Sequence, residues 1–272
     1  MVKNQNSANS GGKDHAKVAI ESINIVLKNG QTHIHDGYHL SSNAHGALFI
    51  NVSYFMPFAY RVFKKLDPNG AAVWNKLLDK TYQDLKTSLN LTLHDLNANK
   101  IVGNGQLFPN WYQLSKATGQ PIDIVTQTEN TNVRGYQFGY DAFRTIWFLA
   151  YDDHLYGKYD SRSRKILAKV YQFFKQEMNQ KGKIAPVYNI DGTHPPEHNY
   201  EASFGFYAVY LNLFKLMGDK QNERAILKMY SKHRGAKGGR VWIKDSDPKF
   251  KGGMEEYFMN LWAFFGVYLY TQ

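Results

Sequence analysis

The 272-residue sequence contains no cysteine, which excludes disulfide bonds, thiolate metal sites and a cysteine nucleophile. It also lacks a phosphate-binding Gly-Lys-Ser/Thr loop and a Gly-x-Ser-x-Gly nucleophile elbow. No run is long and apolar enough to predict a membrane span, and residues 1–13 lack the apolar segment of a secretion signal. These features do not indicate the cellular compartment of the protein.

Basic and aromatic residues are abundant. The formal net charge is +10, the isoelectric point is about 9.4, and aromatic residues make up 15% of the chain. The charge permits contact with nucleic acid, an anionic cell wall or an acidic polymer, although no dense Lys/Arg run is present and a solvated basic surface is the simpler interpretation. The aromatic rings supply core bulk or flat faces on which sugars stack.

Apolar residues that recur every 3.6 positions predict about nine helices. Pro57 lies where the second of these begins, and Gly119 with Pro121 is typical of a helix end. Only Arg240–Ile243 is a candidate strand. The predicted helices are His15–Leu27, Tyr54–Leu66, Ala71–Leu89, Phe108–Thr118, Asp141–Asp152, Ser161–Asn179, Glu201–Met217, Asn222–Lys232 and Glu256–Tyr270.

Some of these helices are amphipathic, whereas Glu201–Met217 and Glu256–Tyr270 are apolar on nearly all sides. A helix that is apolar all round must be buried all round. The mixture favours an all-α fold in which inner helices are enclosed by outer ones, as in a double-layered barrel, and it also fits a plain multi-helix bundle. Since no linker divides the chain, we predict a flexible tail over residues 1–12 and a single domain over residues 13–272.

The segment Gly139-Tyr140-Asp141-Ala142-Phe143-Arg144 is the most informative for chemistry. Asp141 and Arg144 are three residues apart and share one face of a predicted helix start. An ionised carboxylate at an aromatic cavity can accept a proton from water, and a guanidinium can orient that carboxylate or a sugar hydroxyl. The alternative is an Asp that caps the helix N-terminus beside a surface Arg.

The same segment resembles the signature of family 8 glycoside hydrolases, and other segments resemble that family in the same order. Asp36-Gly37-Tyr38 is similar to its Gly-Asp-Trp loop, and residues 51–57, Asn-Val-Ser-Tyr-Phe-Met-Pro, are similar to its Pro-Ser-Tyr-Phe-x-Pro run. Trp74 matches the Trp that opens the next helix, and residues 257–262 match the last inner helix. The resemblance runs from about Lys13 to the end of the chain.

Two motifs of the family do not occur in this sequence. They are the Ser-Glu-Gly segment, whose Glu donates the proton, and the Asp-Ala-Asp-Leu-Asp-Ile-Ala segment, whose first Asp binds sugar at the scissile bond. The resemblance therefore implies an incomplete (α/α)6 barrel without its first three or so helices and without the acid. Glu129, Glu197, Glu201 and Glu255 are the conceivable substitutes, and no motif supports any of them.

The resemblance implies an inverting hydrolase of β-linked polysaccharide, of the cellulase, chitosanase or xylanase type. It assigns Asp141 as general base and Tyr140 and Arg144 as its partners at the cleavage site, and it needs no cofactor. Tyr38, Tyr54 and Tyr257 become candidate stacking platforms, and Trp111 joins them because of its aromatic loop context. A basic groove suits a neutral or anionic glycan better than cationic chitosan.

Three alternatives remain open. The chain could be an inactive carbohydrate-binding remnant, or a subunit that a second chain or self-association completes, because exposed inner helices would present an apolar patch. A basic nucleic-acid binder would show steep salt dependence, but no recognition motif accompanies the charge. His33, His35 and His39 have a spacing that fits zinc, and ordinary loop histidines are the other interpretation.

Overall fold

The computed structural model describes residues 47–95, 100–115, 121–122, 124–125, 137–195, 201–232, 234–237, 240–243 and 254–272. This part of the chain is dominated by seven α-helices, which confirms the predicted all-α class. The helices are α1 (Pro57–Leu66), α2 (Ala71–Ser88), α3 (Phe143–Tyr156), α4 (Arg162–Lys181), α5 (Phe204–Leu216), α6 (Lys220–Lys232) and α7 (Met254–Thr271). The predicted helix His15–Leu27 lies outside the described residues.

The helices form two layers. Helices α1, α3, α5 and α7 lie side by side in that order, while α2, α4 and α6 each pack against the inner helix that precedes them in the chain. This alternation of inner and outer helices is the arrangement of an α/α barrel. No helix in the described ranges is long and apolar enough to cross a membrane.

Helix α5 illustrates why the layers separate as they do. Its residues 204–214 are buried without exception, and its first charged side chain is the exposed Lys215. Against it, α7 approaches so closely that a Cβ on Gly266 would lie 2.5 Å from the backbone of Ala208. Helix α4, by contrast, buries only one stripe that includes Ile166, Val170 and Phe174. A fully apolar helix goes inside, and an amphipathic one covers it.

The prediction of a helix over Phe108–Thr118 is wrong. Tyr112–Ser115 is instead a strand that pairs antiparallel with Ala47–Ile50, with Ile50 opposite Tyr112. The apolar residues Leu107 and Phe108 are fully buried, but they lie in a loop whose backbone N–H groups donate to partners distant in sequence. Burial without helical hydrogen bonding therefore explains the misleading apolar pattern.

The structure also contains more strands than the sequence patterns predicted. They are short and connect helices at the ends of the barrel: β1 (Ala47–Ile50), β2 (Thr92–Asp95), β3 (Lys100–Asn104), β4 (Tyr112–Ser115), β5 (Pro121–Ile122), β6 (Ile124–Val125), β7 (Gln137–Phe138), β8 (Tyr188–Asn189), β9 (Arg234–Lys237) and β10 (Arg240–Ile243). The sheets follow the orders β1-β4-β5, β3-β2-β6, β7-β8 and β9-β10. The candidate strand at Arg240–Ile243 is confirmed.

A buried polar network joins α1, α2, α3 and α4. Asp152 is fully buried and accepts hydrogen bonds from Arg61 Nε (2.9 Å), Tyr82 (2.6 Å) and Ser163 (2.8 Å). Arg61 also donates to Asp160 at 2.7 Å. Burial alone would raise the pKa of Asp160, but hydrogen bonds from Arg162 and Arg61 outweigh it and hold that pKa well below the usual range. Each charge in the network is thus matched by a partner.

Replacing Asp152 by Ala should lower the free energy of unfolding by about 3–5 kcal/mol, because Arg61 would then be left without its most deeply buried partner. The matched control is Asp79→Ala, since Asp79 is 68% exposed in its pair with Arg162 and such a pair contributes about 0–1 kcal/mol. Urea denaturation measures both values. Equal losses in the two variants would contradict a central role for the buried network.

Candidate active site

The candidate site lies where three chain segments meet at the start of α3. They are the 3-10 turn Val52–Tyr54, the loop that leads into β4, and the turn that connects β7 to α3. These segments bring Tyr54, Trp111, Asp141 and Arg144 together. Asp141 and Arg144 were predicted as catalytic residues from one motif and Tyr54 as a substrate-binding residue from another, while Trp111 was predicted from its loop context.

Asp141 is held by two donors from different segments. The indole Nε1 of Trp111 donates to its Oδ2 at 3.1 Å, and Arg144 Nη2 donates to its Oδ1. The Asp141 side chain nevertheless remains 37% exposed, whereas that of Arg144 is 16% exposed. The carboxylate is therefore fixed in orientation while one side stays open to solvent. The N-cap residue of α3 is Ala142, so Asp141 does not cap the helix.

Arg144 in turn is held from the α1 side. Its Nη2 donates to Ser53 Oγ at 2.6 Å, and its guanidinium lies 5.6 Å from the ring centroid of Tyr54. Ser53 is positioned by Asn51, whose side-chain oxygen accepts from both the backbone N–H and the hydroxyl of Ser53. This arrangement fixes the Arg fork in one plane beside the carboxylate.

Asn110 positions the Trp111 loop. Its side-chain oxygen accepts from the backbone N–H of Ala142 at 2.9 Å, and its own backbone N–H donates to the carbonyl of Gln137 at 2.7 Å. Gly139 lies beside the Asn110 amide, and a Cβ there would be in ordinary van der Waals contact with it at 3.4 Å. Sequence reasoning missed both Ser53 and Asn110 as site residues. Ser53 lies in the stretch that resembles the Pro-Ser-Tyr-Phe-x-Pro run, whereas the only signal for Asn110 was its place in a turn-rich stretch.

The aromatic residues predicted for the site differ in their contacts and in their exposure. Tyr54 and Trp111 meet edge to face with centroids 6.4 Å apart. Tyr140 is half-buried, and its ring packs edge-on against Phe206 of α5 at 5.4 Å. Tyr257 is 71% exposed on the first turns of α7 and, among the described ring contacts, shares none with Tyr54 or Trp111. Tyr38 and the cluster His33, His35 and His39 lie outside the described residues.

The arrangement suits acid–base chemistry on a hydroxyl-rich molecule. An oriented, partly exposed carboxylate can accept a proton from a water on its open side. The neighbouring guanidinium can hold a hydroxyl group, and the aromatic edges offer apolar contact. In the described part of the chain, no group of three or more His, Asp or Glu residues is placed to hold a metal ion.

No protein-family model and no curated protein matches the chain by sequence. Solved structures match it by fold. An apo β-1,3-1,4-glucanase from Paenibacillus sp. X4 has a TM-score of 0.63 and 17% identity over 97% of this chain and 61% of that chain. A cold-adapted family 8 xylanase in complex with substrate has a TM-score of 0.62 and 17% identity over 97% of this chain and 58% of that chain.

A third structure, an endo-1,4-D-glucanase from Vibrio fischeri ES114, has a TM-score of 0.50 and 13% identity over 83% of this chain and 52% of that chain. At these identities the likeness shows the fold alone. The chain spans about three-fifths or less of each of the three structures. Its described helices therefore share the barrel fold of enzymes that include a family 8 glycoside hydrolase.

Proposed function

We propose that this chain is a glycoside hydrolase of the inverting type that acts on β-linked polysaccharide, with Asp141 as its general base. The observation that carries the proposal is the Asp141 carboxylate, which Trp111 and Arg144 orient while 37% of the side chain stays exposed. An inverting base must hold a water on the face of the sugar opposite the leaving group. A fixed carboxylate with an open side meets that requirement.

The partners of Asp141 have separate roles in this proposal. Arg144, which Ser53 anchors, orients the base and a sugar hydroxyl. Tyr140 lies beside the base in the chain and lines the cleavage site, and Tyr54 supplies an aromatic edge. Tyr257 and Tyr38 stay predicted stacking platforms further along the groove. No cofactor takes part, because glycoside hydrolysis by two carboxyl groups needs none.

Hydrolysis by this chain is impaired in our proposal because its sequence contains no motif of a proton-donating Glu. Of the four conceivable substitutes, Glu129 and Glu197 and the side chain of Glu255 lie outside the described residues. Glu201 lies 3.7 Å from Lys232 and interacts electrostatically with Tyr207. Without an acid the leaving oxygen departs as an alkoxide, and acid catalysis contributes about 10²–10⁴-fold.

The substrate class follows from charge and from likeness. The net charge of +10 favours a neutral or anionic glycan. Two solved structures with a similar fold are named as a β-1,3-1,4-glucanase and a family 8 xylanase. We therefore propose a β-glucan or xylan chain as the ligand of the Asp141 site.

Asp141→Asn should reduce reducing-end release from soluble β-glucan or xylan by about 100-fold or more, because the amide cannot accept the proton of water. Binding of the same polymer should stay within a few-fold, since the shape of the side chain is kept. Asp79→Asn, an exposed carboxylate on α2, is the control and should change neither. An unchanged hydrolysis rate in Asp141→Asn would refute the base assignment.

Trp111→Phe separates two roles for Trp111. The phenyl ring keeps an aromatic face but lacks the N–H that donates to Asp141. If the indole positions the base, kcat should fall about tenfold, in line with the energy of a hydrogen bond to a charged group, and KM should barely change. If Trp111 acts only as a stacking platform, Trp111→Phe should keep kcat, and Trp111→Ala should raise KM.

The alternative function is glycan binding without turnover, as a subunit of a larger assembly. A specific observation supports it. Tyr257, Leu261, Phe264 and Tyr268 form an exposed apolar stripe along α7, with exposed fractions of 71%, 36%, 65% and 50%. Spacings of four, three and four residues place them on one line, as at a helix–helix seam. A second copy of this chain would bring the same stripe to an antiparallel contact.

This alternative predicts self-association through α7. Light scattering should give a mass of about twice the 31.3 kDa of one chain. The double variant Phe264→Ser, Tyr268→Ser should have the mass of a single chain. Tyr159→Ser is the control, because Tyr159 is 82% exposed and lies on no such stripe. A wild-type chain that stays monomeric at high concentration would rule out self-association.

A further inference from the structure

A groove of about 610 Å³ lies on the outside of the barrel. One wall is the exposed face of α4, and the other consists of the turn Leu89–Asn90 after α2 and the segment Gly105–Gln106 after β3. Leu89 and Phe173 are buried beneath it. None of the residues proposed for the Asp141 site lines this groove.

The lining has a distinctive chemistry. Among the described residues that line it, the charged ones are Lys169 and Lys175, and none is a carboxylate. Six of the other described residues that line it carry amide side chains, and the remaining three are Leu89, Gly105 and Phe173. Lys175 lies over the ring of Tyr171 at 5.7 Å, which restricts its position. Such a surface attracts uncharged or anionic molecules that carry many hydrogen-bonding groups.

Three glutamines of this lining repeat along the helix. Gln172, Gln176 and Gln180 are four residues apart, so they follow one line at steps of about 6 Å. Their side chains make no hydrogen bond with the described part of the chain. The other amides are tied down, as Gln106 donates to the carbonyl of Asp191 at 3.0 Å and Asn90 to that of Lys86 at 2.6 Å. The groove thus combines a fixed rim with a row of available amides.

We propose that this groove is a second sugar-binding site, which takes an extended β-linked glycan strand with acidic substituents facing Lys169 and Lys175. Each amide both donates and accepts, so it can pair with the neighbouring hydroxyls of one sugar. The step between glutamines is close to the length of one sugar unit in an extended β-1,4-linked strand. The ligand class rests on the proposed function, but the site itself is separate from Asp141.

A single-stranded nucleic acid is the competing occupant. Proteins that bind such strands combine positive charge with exposed aromatic rings on which bases stack. Among the described residues that line this groove the one aromatic residue is Phe173, which is 8% exposed. The described lining therefore lacks the exposed ring on which a base would stack, whereas its amides can pair with the hydroxyls of a glycan.

The test is calorimetric titration of the full chain with cellohexaose and with carboxymethylated cellulose oligomers. The Asp141→Asn background prevents hydrolysis. The double variant Gln172→Ala, Gln176→Ala should weaken one binding event about tenfold, as expected for the loss of several hydrogen bonds. The control pair Gln83→Ala, Gln221→Ala removes two exposed glutamines on α2 and α6 and should leave the titration unchanged. Lys169→Gln with Lys175→Gln should remove the preference for the carboxymethylated oligomer.

The outcomes are distinguishable from those of the Asp141 site. Binding that depends on Gln172 and Gln176 but not on Trp111→Ala would support the groove even if the proposed hydrolase function failed. A titration that the glutamine variant leaves unchanged would overturn the groove proposal even if hydrolysis were shown. Binding of single-stranded DNA at this groove, with no glycan binding in the wild type, would also overturn it.

Discussion

The burial of α5 on all sides is the constraint on which the rest of the architecture depends. A helix with no charged side chain from Phe204 to Phe214 can be stable in water only when neighbours cover its whole circumference. Helices α3 and α7 cover its flanks, and α6 covers its outer side. The close contact of Gly266 with Ala208 brings α7 within backbone distance, and Asn212 donates to the carbonyl of Gly266 at 2.9 Å. The order of the inner layer follows from this packing.

The packing also fixes the place of the candidate site. Helix α3 packs between α1 and α5, and it also contacts the turn that precedes α1. Arg144 links α3 to this turn through its hydrogen bond to Ser53. The preceding residue, Phe143, is fully buried and packs against Phe206 with ring centroids 4.4 Å apart. A buried ring and an anchored guanidinium at adjacent positions leave the Asp141 carboxylate little freedom. The site is thus preorganised by the core rather than by a flexible loop.

Local sequence patterns predicted the helices well and the connections poorly. Apolar residues repeat along each helix with a period that can be read from the local sequence alone. Seven of the nine predicted helices are confirmed. The helix prediction around Trp111 was wrong because the backbone N–H groups of this segment donate to carbonyls far along the chain, those of Ile190 and Gln137, rather than within a helix. Most of the short strands were not predicted, for the same reason. Gln137 pairs with Asn189 far along the chain, and so short a pairing leaves no local alternation of apolar and polar residues to detect.

The sequence by itself determined the all-α class, the alternation of buried and amphipathic helices, and the candidates Asp141, Arg144, Tyr54 and Trp111. It did so because hydrophobic period and short motifs are local properties. Only the tertiary structure decided that Trp111 donates to Asp141, that Ser53 and Asn110 hold the site together, and that three glutamines of α4 line a groove with distant turns. Those contacts join residues separated by up to about ninety positions, and only the packing of the barrel brings them together.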